Sequence, residues 1–133
     1  MPRKVKHMNI ETYAQEGATI PAAVIVVEGT ADGQAKLPAA ADAGGILGVT
    51  KYAGTGAGAD LEVVTHGIVD LLVKAAGTNI ARGDAIAIHG TTGYGKKSDL
   101  TNAKHVLGYA LEPATADDVM ISVRISPFST PSA

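Results

Sequence analysis

Ile46-Leu47-Gly48-Val49-Thr50-Lys51-Tyr52 and Val106-Leu107-Gly108-Tyr109-Ala110-Leu111 are two short apolar runs, each broken by a glycine at the same place, 60 positions apart. The register holds well beyond them. Residues 17–65 laid onto 77–125 without a gap place Gly17 on Gly77, Ile20 on Ile80, Gly33 on Gly93, Lys36 on Lys96 and Val63 on Val123. Leu47/Leu107, Gly48/Gly108, Ala43/Ala103 and Thr55/Thr115 complete nine identities. Most are glycines or apolar residues, which set backbone shape and packing, and none is a candidate catalytic group. A glycine inside a strand marks a bulge or a close backbone approach, because nothing else justifies its loss of packing and its entropy cost. The same interruption twice predicts one bent β unit used twice.

Strand-length runs surround these two. Val24–Val27, Leu61–Thr65 and Ile68–Val73 (with Gly67 between the last two), Ala85–His89 and Val119–Ile125 are short, rich in β-branched residues and separated by turn residues. Val119, Ile121, Val123 and Ile125 alternate with Met120, Ser122 and Arg124, the period of a half-buried strand. Helical signals are weak. Leu37–Ala43 contains Pro38 and no apolar stripe, and Asp99–Lys104 is at most one turn with Asp99 as its cap. The segment from Ala75 to Asp84 has Gly77 and Gly83 bracketing Ile80, as a compact connection would. The expected fold is all-β: a compact, small β-sandwich or barrel-like domain over residues 23–126 with a pseudo-duplicated hairpin core. An extended N-terminal arm (1–22) precedes it and a flexible C-terminal tail (127–133) follows.

Composition narrows the function. The chain has 133 residues, 46% hydrophobic and 18% charged, with no cysteine and a net charge of -2. That is globular in character, and thiolate metal sites and disulfides are excluded. No apolar run reaches the length of a membrane span, so no membrane partner is expected. Ala and Gly make up 39 residues, against four Tyr and one Phe. Such a core buries little area per residue, so association with itself or a partner is an expected source of stability. Arg3, Lys4 and Lys6 crowd the N-terminus, leaving 8 basic and 13 acidic residues after residue 6. A basic arm on an acidic body is suited to an acidic neighbour.

Few motifs suggest chemistry. Gly90-Thr91-Thr92-Gly93-Tyr94-Gly95-Lys96 has the GxxxxGK spacing, but Lys97 stands where a phosphate loop needs Ser or Thr, and no long helix can follow. It reads as a glycine-rich hairpin turn. His7, His66, His89 and His105 have no ligand spacing, and no pair of carboxylates shows opposed environments. No catalytic residue, metal site or cofactor is expected, and the acidic body argues against nucleic acid.

Several phrases in order resemble a known family: Glu16-Gly17-Ala18-Thr19-Ile20, Gly45-Ile46-Leu47-Gly48-Val49, Thr65-His66-Gly67-Ile68-Val69-Asp70-Leu71, Ala75 to Ile86, and Leu107-Gly108-Tyr109-Ala110-Leu111-Glu112-Pro113-Ala114. Together, over residues 14–126, they are similar to the tailed-phage capsid decoration, or cement, proteins. The resemblance implies a structural protein of the virion, made in the host cytoplasm, that sits on the outer surface of an icosahedral head. It further implies that the protein clamps neighbouring major capsid protein subunits as a homo-oligomer, a trimer or a dimer. It implies that the arm, through Arg3, Lys4, Lys6, Ile10 and Tyr13, reaches onto the shell. Gly48, Gly108, Gly77 and Gly83 are read as structural. Two other readings stand beside this one: a virion-surface module for glycans or receptors, which would need exposed aromatic platforms, and a lipoyl-like carrier domain, for which Lys96 or Lys97 is the sole candidate.

Overall fold

The computed structural model describes residues 8–100 and 105–129, and every element among them is a strand. In chain order these are β1 (Met8–Gln15), β2 (Ile25–Glu28), β3 (Gln34–Lys36), β4 (Ile46–Thr50), β5 (Asp60–Val73), β6 (Ala85–Ile88), β7 (Gly95–Lys97), β8 (His105–Ala110) and β9 (Val119–Ser129). The β-branched runs expected from the sequence are β2, β4, β5, β6, β8 and β9. The two apolar stretches on either side of Gly67 are one strand.

The pairing closes two rings. β1 runs antiparallel to β5 from Met8↔Gly67 to Ala14↔Asp60 and meets β3 in parallel at Ala14↔Gln34. β3, β2 and β4 follow as antiparallel neighbours, and β4 returns to β5 at Val49↔Val64. The second ring repeats this path as β5-β7-β6-β8-β9, with β9 lying on β5 from Gly67↔Ile125 to Val73↔Val119. β5 therefore belongs to both rings, and Gly67 is the residue at which it passes from one to the other. Closing a sheet on itself leaves little free edge for stray pairing.

The duplication seen in the sequence is a duplication of backbone hydrogen bonds. Ala23 N–H donates to Thr50 O as Gly83 N–H donates to Ala110 O. Lys51 N–H donates to Glu62 O as Leu111 N–H donates to Ser122 O. Val26 faces Gly48 as Ile86 faces Gly108. For β1 the counterpart is the second half of β5, 58 positions on: Gln15 lies beside Ala35 as Val73 lies beside Gly95.

The interior is aliphatic. Val24, Val26, Ala35, Leu61 and Val63 form a cluster with Ile20, and Tyr13 and Leu47 pack against it. A larger cluster holds Leu71, Ile80, Ile86, Leu107, Ile121 and Val123 together with Ile25, Val27, Val49 and Val64 from the first ring. Alternate residues of β2 thus serve different cores: Val26 fills the first ring, and Ile25 and Val27 join the larger cluster, which spans both. No aromatic side chain is among the buried residues described. Small aliphatics suffice because short strands bring them close, and each fully buried Val, Leu or Ile is worth about 1.5–3 kcal/mol relative to exposure.

The boundary expected at residue 22 falls inside this architecture. Met8–Gln15 is a ring strand, and β9 runs past residue 126 to Ser129. Of the expected arm, residues 1–7 lie outside the described residues, as do 130–133 of the tail and most of the Asp99–Lys104 turn.

Candidate functional site

The two glycines on which the repeat was recognised sit at matching close approaches. A Cβ on Gly48 would fall 2.0 Å from Val64 O, and one on Gly108 would fall 1.9 Å from Arg124 O. The register shifts beside both, at Val26/Val27 opposite β4 and at Val106/Gly108 in β8. A side chain would drive the neighbouring strand away, so these positions hold β4 and β8 against β5 and β9. Gly77 and Gly83 lie in the connection between β5 and β6 at φ values of 81° and 94°.

The glycine-rich GxxxxGK stretch is the turn from β6 to β7. Gly93 N–H donates to Gly90 O, and His89 N–H donates to Tyr94 O across the hairpin. Lys96 lies in β7, 3.1 Å from Asp42, and Lys97 is 3.7 Å from Asp84. Both lysines are ion-paired within the fold, an arrangement unlike the free ammonium that a phosphate loop presents. They line a polar cleft of about 380 Å³ with Lys74, His89, Asp99 and Asp117. Its cations are largely matched by carboxylates: Lys74 Nζ is 2.6 Å from Asp118, and that hydrogen bond holds its pKa above the usual lysine value. Among the described residues no group of three or more His, Asp or Glu could hold a metal ion.

Ile10, an expected contact residue, is exposed in β1, whereas Tyr13 is half-buried against the first core. Burial, followed by the charge of Glu11, pushes the Tyr13 phenol pKa up. Arg3, Lys4 and Lys6 lie outside the described residues. Among the described residues the exposed large hydrophobic side chains are Ile10, Tyr52, Leu100, Tyr109 and Met120. They are spread over different strands and loops. β1 and its partner β5 carry exposed carboxylates at Glu11, Asp60 and Glu62, with Thr12 facing Glu62 and Ala14 facing Asp60. The sequence carries no sign of this acidic band, because Glu11 belongs to a segment whose pattern is that of an arm, not of a strand beside β5.

The fold and its surface define an all-β scaffold made of two like rings. Comparison with known proteins then places the chain. A family model described as phage cement protein matches residues 5–125. The chain belongs to the phage cement protein family, and with it to the structural proteins associated with phage heads. Among solved structures it is similar to the head fiber gp8.5 N base of bacteriophage phi29, with 16% identity and a TM-score of 0.62 over 90% of this chain and 95% of that one. At that identity the likeness is one of fold. A search of curated proteins gives no match.

Proposed function

We propose that this protein is a capsid decoration protein that binds the outer surface of an icosahedral phage head and stabilises it by bridging major capsid protein subunits. The observation that carries the reading is the family match over residues 5–125. A rigid double ring suits the task, since a clamp must hold two neighbours at a fixed separation and needs no moving part. Adhesion at several points multiplies weak contacts into a durable one.

In this reading the docking segment is the chain ahead of β1. Arg3, Lys4 and Lys6 lead into Met8 and exposed Ile10, and a cation cluster there complements an acidic capsid surface. Such contacts are screened by salt, with a Debye length of about 8 Å at physiological ionic strength. The test is cosedimentation with expanded heads. Removing residues 1–7, which leaves every described strand intact, is expected to abolish binding while the thermal midpoint stays put. Full binding by the truncated chain would remove the segment from the mechanism, and failure of the intact chain to bind any expanded head would sink the proposal.

A further inference from the structure

The two rings meet through a contact that is not reciprocal. The segment ahead of β2 wedges into the seam of the second ring: Leu72 N–H donates to Ala23 O at 2.9 Å, and Ile25 N–H donates to Gly93 O at 2.7 Å. Position by position, the matching seam of the first ring lies between Ala14 and Gly33. There Ala14 N–H donates straight to Gly33 O at 2.8 Å, with nothing between. A Cβ on Gly93 would meet Ile25 O at 2.6 Å, whereas one on Gly33 would meet nothing within 4 Å. On the wedge side, Ala23 is buried, but its counterpart Gly83 is exposed and Asp84 only half-covered. The first ring thus leaves the wedge's place over Gly33 open, its seam closed by its own bond (the socket), and in the second ring the segment matching the wedge enters no seam (the plug). A two-fold contact would use both surfaces twice; a contact of plug into socket is head-to-tail and can be repeated.

We propose that the plug at Arg82–Asp84 of one chain seats in the socket of a second copy, between β1 and the Ala31–Gly33 turn. This repeats between chains the junction that joins the rings within one chain. In that contact Ala14 N–H passes from Gly33 O to Gly83 O of the neighbouring copy, as Leu72 N–H already serves Ala23 O.

Charge agrees with this occupant. Within the chain, Ala22 and Ala23 share a shallow groove with Val69, Asp70 and Met120. The counterpart of Ala22 is Arg82, and those of Val69 and Met120 are Glu11 and Asp60. All three are exposed. The plug therefore brings a guanidinium to a socket lined by carboxylates, where the intrachain junction has Ala22, Val69 and Met120 at the matching positions. Opposite charge across a head-to-tail contact fixes its register and disfavours plug-to-plug and socket-to-socket pairing.

Sedimentation of the intact chain alone tests this, with Arg82→Glu, Glu11→Arg and the double variant beside the wild type. The wild type should give a defined multiple of the protomer mass or a growing chain. Each single variant should weaken association by about tenfold, as like charges are set together. The double variant should recover it. Unchanged circular dichroism and thermal midpoints, expected for exposed positions, separate the effect from misfolding. A wild type that stays monomeric overturns the proposal, as do single variants with unaltered mass or a double variant weaker than both. Cosedimentation with heads is read separately: a monomer that still binds capsids would end this inference and leave the cement reading standing.

Discussion

Gly48 and Gly108 are held by neighbouring backbone. A Cβ at either position would lie within 2.0 Å of a carbonyl oxygen (Val64 O and Arg124 O), and backbone cannot rotate aside as a flexible side chain can. Gly48→Val and Gly108→Val are each expected to destabilise the fold by about 2–4 kcal/mol, read from urea unfolding, because a strand must move to admit the branch. Gly33 gives the contrast. Its φ of 77° matches the 79° of Gly93, but its surroundings are open. Alanine there should cost only the backbone strain, about 1 kcal/mol, and less than alanine at Gly93. Glu16 makes a different kind of local contact. Its carboxylate accepts from Thr30 N–H at 2.6 Å and from the Thr30 hydroxyl at 3.0 Å, and the backbone bond chiefly holds its pKa below the ordinary 4.5. A lowered folded-state pKa gives stability that is present above 4.5 and lost as pH falls through the folded value. The stability gap between wild type and Glu16→Gln should therefore shrink on acidification below about pH 4.5, measured by urea midpoints across that range. A gap that stays constant would remove the ionised form from the contact.

At the level of elements, β1 decides how the chain ahead of it can be cut. Loss of residues 1–7 leaves both rings closed, whereas loss of residues 1–15 strips β5 of its β1 neighbour from Asp60 to Gly67 and opens the first ring. The shorter truncation should unfold like the intact chain and the longer one at a clearly lower temperature, by differential scanning calorimetry. The elements also show how much the sequence revealed. The six strands expected from β-branched runs are those with at least one face deep in a core, where composition must be apolar. β3 and β7 have three residues each, two of them polar or charged in β3 and two lysines in β7, so they carry no readable period. β1 alternates weakly because half of its residues are exposed, on both faces, and its identity comes from pairing with β5. The repeat, by contrast, is legible, most clearly at Gly48 and Gly108, whose close approaches admit no side chain. The acidic band and the one-way junction are not legible in the sequence, since they arise from which strands become neighbours.

On the scale of the whole molecule, the larger apolar cluster joins residues of both rings. Neither ring can open without exposing part of it. Thermal unfolding should be a single transition with equal calorimetric and van't Hoff enthalpies. Two resolved transitions would show that the rings are independent bodies joined only by chain. In the proposed bridging role unity also matters, since a joint that yields in its own middle transmits little of the load placed on its two sides. The shared strand governs how such load would travel. Met8 and Ile125 both lie opposite Gly67, so β1 and β9 come to the same point of β5. Tension entering by one end of the polypeptide and leaving by the other would cross from Met8 to Ile125 over two strand spacings, roughly 10 Å. The aliphatic interiors on either side would not be stretched, so a pull applied through the two termini would not prise open what keeps the protein folded.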